Sequence, residues 1–426
     1  MKSLREIKAK INFPKQPQKS SGTKKFISIF ILLLFFITEG YAQISLQQLI
    51  NGIDSTIKGS DCEVSILIMS ASRNDILYQY NPDTKMIPAS VIKLITSSTA
   101  IVKLGLGYSF RTIIYTDDNN INDGVINGNL YLKGYGDPDL STSDLTLMAE
   151  QISKLNIREI TGNLIYDESF LDDNYTSLAG VYSSDTDPKY WPYVTALSID
   201  KNNTSKNPAF YAATYLIKEI TSQDIKFNGI VIPGITPESL KVLVRFLRPI
   251  EEVISNMNKP SDNQSAITVF KVLGAEIISP PGTIKKGSEV VIDFLNSIGI
   301  NRNSYEILEG SGLSRYNMVT SSSVTKLLKY MYDQVDIFDV FMKSLAIAGV
   351  DGTLSKRMKN TEAEQNVYAK TGTLNYVSTL AGYAISRDSE LIIFYIAMNG
   401  FSGNKTAFYR KKQDKICELI CKFSRN

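Results

Sequence analysis

From Pro88 to Leu104 the sequence is apolar on nearly every side of a helix, with Val91, Ile92, Leu94, Ile95, Ala100, Ile101 and Val102 leaving no polar face. Such a helix cannot lie on a surface. It has to run through the middle of a domain and be wrapped by other elements. Two residues near its start contradict that setting. Ser90 and Lys93 stand three apart, so they project from one face and come within hydrogen-bonding reach. Burial lowers the pKa of a lysine and makes it a usable base near neutral pH. A serine in the first turn of a helix also has backbone N–H groups pointing at any negative charge that develops beside it.

The S-x-x-K spacing is weak by itself, because it recurs at Ser21, Ser55, Ser198, Ser323 and Ser402. Two further motifs give it weight. Ser261-Asp262-Asn263 and Lys370-Thr371-Gly372 follow in that order, each occurring once. The ordered series S-x-x-K, S-D-N, K-T-G is the signature of penicillin-binding enzymes and serine β-lactamases. Its logic is that of acyl transfer: a proton acceptor, an oxyanion hole, a proton path to the leaving amine and a cationic clamp for a terminal carboxylate. The 426 residues contain no histidine, which removes Ser-His-Asp, Cys-His and His-zinc chemistry together. No metal or cofactor is called for.

Residues 1–42 hold eight Lys or Arg, an apolar run from Phe26 to Ile37 and the small-x-small sequence Gly40-Tyr41-Ala42. They read as a signal for export to the periplasm, cut before Gln43. An uncleaved anchor, and with it a loose membrane association, is the alternative. The same residues carry two Glu, so the net +3 of the whole chain becomes −3 for the remainder, and no nucleic-acid surface is implied. The three cysteines, Cys62, Cys417 and Cys421, read as buried free thiols, with a Cys62 bridge to Cys417 or Cys421 as the alternative for an exported protein.

Apolar spacing predicts a helix over Leu46–Lys58, a hairpin from Glu63–Met69 and Ile76–Tyr80, helices over Ile267–Leu273 and Val319–Val335, strands at Val377–Ile385 and Leu391–Met398, and a last helix over Ala407–Phe423. Between 107 and 253 the pattern changes to short β-like runs, Arg111–Thr116, Gly128–Lys133 and Ile160–Tyr166, with turn clusters between them. The expected architecture is α+β: an antiparallel sheet flanked by helices and closed by its termini, made of residues 43–106 and 254–426, with a smaller, mostly β domain inserted as residues 107–253.

Around these motifs the sequence resembles the D-alanyl-D-alanine carboxypeptidase/endopeptidase family of low-molecular-mass class C penicillin-binding proteins, peptidase family S13. The resemblance runs in patches over residues 44–400: Pro88-Ala89-Ser90 to Thr96, Gly136-Asp137-Pro138, Val194 to Asn202, Asn258 to Asn263, Glu309-Gly310-Ser311-Gly312-Leu313-Ser314-Arg315, Ala348-Gly349-Val350-Asp351-Gly352-Thr353-Leu354 and Ala369 to Leu374. It implies a serine β-lactamase/DD-peptidase-like fold, peptidoglycan stem peptides as substrates and β-lactam antibiotics as covalent inhibitors. Residue by residue, it implies that Ser90 is acylated, that Lys93 takes its proton and that Ser261 relays a proton to the departing D-Ala. Asn263 would hold the substrate amide, Lys370 and Thr371 the terminal carboxylate, and the N–H groups of Ser90 and Thr373 the oxyanion. Arg315 either reaches substrate or braces its loop.

The chain departs from the family in three places. The 171 residues from Ser90 to Ser261 are few, so a nested domain carried by many members is expected to be missing. Glu309 stands where Asp is usual, and Val91 where Thr often stands. Two other functions compete with the hydrolase. A β-lactamase would need a carboxylate to activate the deacylating water, and the nearest E-x-x-x-N, Glu362 to Asn366, reads better as the turn into the Lys370 strand. A non-catalytic cell-wall-binding protein would keep the fold without turnover.

Overall fold

The computed structural model describes residues 43–172, 179–185, 194–202 and 207–426, so the expected export segment lies outside the described residues. Helix α1 (Leu46–Ile57) opens the chain, with Ser45 and Gln48 forming a reciprocal capping box. Strands β1 (Glu63–Ser70) and β2 (Ile76–Tyr80) follow as an antiparallel hairpin. The helix expected from Pro88 begins instead as a 3-10 turn, Ala89–Val91, which leads into α2 (Ile92–Leu104). Every residue of α2 from Ile92 to Ile101 is buried, polar ones included, as the all-round apolar pattern requires.

A second sheet takes all its strands from Ser109 to Pro249. In chain order the elements are β3 (Ser109–Thr116), β4 (Val125–Ile126), β5 (Leu130–Gly134), α3 (Thr142–Ser153), β6 (Glu159–Ile160), β7 (Leu164–Asp167), α4 (Pro208–Thr221), β8 (Lys226–Phe227), β9 (Val231–Pro233) and β10 (Lys241–Pro249). The sheet order is β10-β3-β5-β7-β9, beside a small parallel sheet β4-β6-β8. Expected as mostly β, this stretch also holds two helices. They make its parallel pairs possible, because β5 beside β7 and β7 beside β9 each need a crossover, which α3 and α4 supply. Asn207 caps α4 by accepting from the Phe210 N–H, and Pro208 stands in its first turn.

The chain then returns through α5 (Ile250–Asn258), α6 (Asn263–Ile277), α7 (Ile284–Ser297), the short pair β11 (Tyr305–Glu306) and β12 (Met318–Val319), α8 (Ser321–Asp333), α9 (Val335–Lys343) and β13 (Ala346–Ile347). Strands β14 (Val367–Leu374), β15 (Val377–Ile385) and β16 (Leu391–Asn399) and helix α10 (Thr406–Lys422) complete it. The main sheet runs β13-β14-β15-β16-β1-β2 with every pair antiparallel. Ile44 and residues 422–424 are joined by backbone hydrogen bonds of 3.1 and 3.0 Å, so the two ends of the described chain meet.

Both faces of this sheet are covered. In β16, Leu391, Ile393, Tyr395 and Ala397 enter the core shared with α2, whereas Ile392, Phe394, Ile396 and Met398 enter the core under α1 and α10. That is why β16 reads as an apolar run from Leu391 to Met398, and why β15, also buried throughout, is apolar from Leu380 onward. Cys417 and Cys421 lie buried in the second of these cores and Cys62 is half-buried. None of the three is in a disulfide, so the Cys62 bridge considered from sequence is not formed. No helix among the described residues is long and apolar enough to cross a membrane.

Two buried tyrosines in adjacent strands give a test of this packing. Tyr383 donates to the Leu328 carbonyl of α8 at 2.8 Å, while the Tyr395 hydroxyl meets no partner among the described residues. Tyr383→Phe should therefore cost about 1 kcal/mol, and Tyr395→Phe should be neutral or slightly stabilising. Urea unfolding midpoints of the two variants check this.

Candidate active site

Ser90 is half-buried at the centre of its 3-10 turn, between the buried Ala89 and Val91. The turn is pinned by the main sheet: Thr379 Oγ1 donates to the Pro88 carbonyl at 2.6 Å, and Asn399 Nδ2 to the Ile87 carbonyl at 3.1 Å. Two glycines let the backbone close around it. A Cβ on Gly312, whose φ is +85°, would lie 2.0 Å from the Ala89 carbonyl oxygen, and one on Gly372 would lie 2.4 Å from that of Pro88.

One turn beyond Ser90, at the start of α2, Lys93 is fully buried. Its Nζ donates to Ser90 Oγ at 3.0 Å, to Asn263 Oδ1 at 2.7 Å and to the Ser311 carbonyl at 2.6 Å. All three acceptors are neutral. Burial pulls the Lys93 pKa down to about 8, against the opposing charges of Glu309 and Asp262.

Glu309 organises the loop that supplies Ser311. Its buried carboxylate accepts from the N–H groups of Ser311 at 2.6 Å, Gly312 at 2.8 Å and Ser314 at 3.1 Å, from Ser311 Oγ at 2.6 Å and from Asn317 Nδ2 at 2.7 Å. Sequence reasoning marked Glu309 only as a departure from Asp. The available signal was an acidic residue heading a Gly-Ser run, whose successive free N–H groups need an acceptor.

The Ser261-Asp262-Asn263 motif is the start of α6. Asp262 caps the helix, accepting from the Ser265 N–H at 2.6 Å, which places Asn263 in the first turn, and Ser261 before the cap takes a left-handed φ of 66°. Lys201, from the stretch between β7 and α4, reaches Ser265 Oγ at 2.6 Å and Asp262 at 3.6 Å and also pairs with Asp139. The second sheet's chain thus touches the motif directly.

Lys370 and Gly372 face the catalytic turn from β14, and Thr371 and Thr373 face the other side of the sheet. Lys370 is fully buried, with Nζ donating to the Thr371 carbonyl at 3.0 Å. Burial, and then the nearby Lys93 charge, push its pKa well below the ordinary lysine value. Thr371 Oγ1 donates to Thr353 Oγ1 at 2.8 Å, which ties β14 to the Asp351-Gly352-Thr353 loop. The outer neighbour β13 pairs only with Tyr368 and Ala369, so from Lys370 onward that edge of β14 has no strand beside it among the described residues.

Arg315 is engaged along the Nε–Nη2 edge of its guanidinium. It forks onto Asp185 through Nε and Nη2, each at 2.6 Å, and Nη2 also reaches the Asn375 carbonyl at 2.7 Å. Asp185 further accepts from the Asn375 N–H at 3.0 Å. These bonds occupy Arg315 as a brace between loops, the alternative to substrate contact that its position after a Gly-rich turn allowed. Glu362 pairs with Lys422 of α10 at 3.4 Å, and its carbonyl accepts from Asn366 Nδ2 at 2.8 Å, which makes this segment the turn into β14.

Comparison with known proteins identifies the family of the chain. The family model described as D-Ala-D-Ala carboxypeptidase 3 (S13) matches residues 49–207 and 203–420. The D-alanyl-D-alanine carboxypeptidase DacB of Haemophilus influenzae is 25% identical over 90% of this chain and 94% of its own length. A D-alanyl-D-alanine carboxypeptidase of an Actinomadura species is 26% identical over 79% and 78%. Among solved structures, penicillin binding protein 4 of H. influenzae superposes with a TM-score of 0.75 at 24% identity, covering 88% of this chain and 98% of that one. The same protein complexed with a β-lactam gives 0.69 at 25% identity, covering 87% and 98%. With nearly the whole described chain inside the family model, this protein belongs to the D-Ala-D-Ala carboxypeptidase 3 (S13) family.

Proposed function

We propose that this protein is a serine D-alanyl-D-alanine carboxypeptidase/endopeptidase, exported to the periplasm, that cuts peptidoglycan stem peptides through an acyl-enzyme. The observation that carries the reading is the buried amine of Lys93, 3.0 Å from Ser90 Oγ and with no carboxylate in hydrogen-bonding contact. A lysine ion-paired at that point would stay protonated, whereas one held down by desolvation can accept a proton near neutral pH.

In this mechanism Lys93 Nζ takes the Ser90 proton as Oγ attacks the carbonyl of the penultimate D-Ala. The tetrahedral oxyanion is held by the N–H groups of Ser90 and Thr373. Ser261 relays the proton held by Lys93 to the amide nitrogen, which returns Lys93 to its neutral form, the C–N bond breaks, and D-Ala or a cross-linked stem departs. Asn263 holds the substrate amide, and Lys370 and Thr371 serve the terminal carboxylate. Lys93 then removes a proton from the water that attacks the ester, and Ser90 recovers its proton as the peptide leaves. The same steps serve a free D-Ala terminus and a D,D cross-bridge. Mass analysis of digested muropeptides tells which bond is cut.

The β-lactamase alternative is disfavoured, because Glu362 is engaged with Lys422 and its segment turns the chain into β14. The non-catalytic alternative leaves unexplained why Ser90, Lys93 and Asn263 converge at hydrogen-bonding distance.

Three outcomes are expected. Ser90→Ala should abolish covalent labelling by a fluorescent penicillin while the melting temperature is retained, and labelling that persists would sink the nucleophile. Because Lys93 titrates at about 8 and only its neutral form accepts a proton, acylation should speed up about tenfold per pH unit below that value and level off above it. A stopped-flow rate that is flat between about pH 5.5 and pH 7.5 would remove Lys93 as the base. Finally, the cleaved β-lactam stays tethered and blocks the water's approach, so the penicilloyl-enzyme should last minutes or longer, where a lactamase would turn over many times per second. Intact-protein mass returning to its unmodified value within seconds would favour the lactamase instead.

A further inference from the structure

The outer face of β14 carries more than its two threonines. Thr373 pairs across the sheet with Ser378, so their side chains share one face, and α10 lies over it: Gln413 Nε2 donates to Ser378 Oγ at 3.1 Å. Three residues earlier on the same helix, Arg410 donates from Nη2 to Thr373 Oγ1 at 3.0 Å. Its neighbour Arg357 is committed to Asp414, to Gln413 Oε1 and to the Arg410 carbonyl. Arg410 is not. It is exposed, and among the described residues no carboxylate lies within ion-pair distance of it. Partial burial of its guanidinium, and then the Arg357 charge, lower its pKa, while Asp414, already paired with Arg357, acts on it from further off in the opposite direction.

Strand alternation separates this cation from Lys370. Lys370 points with Gly372 toward the catalytic turn and spends a donor on the Thr371 carbonyl, while Thr371 and Thr373 point outward. A carboxylate resting against those hydroxyls therefore meets Lys370 only through the strand and meets Arg410 directly. The planar fork of a guanidinium suits a carboxylate better than hydroxyls alone. We propose that Arg410 is a further substrate-binding residue, donating to the terminal carboxylate of the peptide beside Thr371 and Thr373, an assignment that rests on the acyl-transfer reading of Ser90 and β14.

The test compares acylation rates of the full chain with benzylpenicillin, whose carboxylate is free, and with its methyl ester. Arg410→Ala should slow the free acid about tenfold or more and change the ester by less than about threefold, because only the acid presents the charge that Arg410 binds. Arg410→Lys should recover part of the loss for the acid. Arg410→Gln keeps the side chain's reach and carries the same comparison if the alanine variant loosens α10. Equal slowing of both compounds would mean that Arg410 acts only by holding Thr373, and no slowing of either would mean that it has no part in binding. Each overturns the assignment alone. Failure of the unaltered protein to be acylated by benzylpenicillin at all would instead overturn the acyl-transfer reading, and this assignment with it.

Discussion

The catalytic half of the molecule depends on keeping one amine out of water. Lys93 belongs to a helix buried on every side, and its amine bonds, among the described residues, to a hydroxyl, an amide oxygen and a carbonyl. Had Glu309 or Asp262 touched it, the cost of burial would have been relieved and the amine held in its charged form. Both act on it from further away, because each carboxylate is occupied elsewhere: Glu309 by the N–H groups of its loop and Asp262 by the cap of α6. The fold settles which negative charges may approach this amine and how closely.

That arrangement draws on chain segments far apart in sequence. Two of the amine's three partners stand 170 and 218 residues away from it. The main sheet brings them together by being covered on both faces, so that β14 is fixed between α10 on one side and the catalytic turn on the other. Lys201 adds a support from the second sheet's stretch, bracing the cap that positions Asn263. A strong perturbation of that stretch is thereby coupled to α6, through Lys201 at its start and through the Arg111–Glu276 pair at its far end.

Much of this was legible in the sequence where the physics is local. The buried helix, the hairpin β1–β2, the runs of β15 and β16 and the last helix follow from periodicity and apolarity over a few turns. The ordered motifs placed Ser90, Lys93, Asn263 and Lys370, and the structure brings these around one turn. What escaped depends on partners distant in the chain. Arg315 and Asp185 are 130 residues apart, and nothing near either announces the fork between them. Helix α7 went unread although Thr283 caps it and Val290, Val291, Phe294 and Leu295 give it one apolar face. Arg410 stands in the basic run Arg410-Lys411-Lys412, where nothing local distinguishes it, and it is the packing of α10 against the sheet that brings it to Thr373.

The open edge of β14 gives the proposed chemistry a ruler. An extended peptide that adds to this edge is held mainly by its backbone, and backbone pairing by itself does not distinguish one residue from the next. A strand lying there could slide along in steps, each presenting a different carbonyl to Ser90. A charged stop at one end removes that freedom: when the terminal carboxylate has reached the Thr371–Thr373 side, the chain can advance no further, and the carbonyl above Ser90 is fixed by counting back from the terminus. Cleavage site is then measured as a length from the end of the substrate, and side-chain identity enters only as a correction to it.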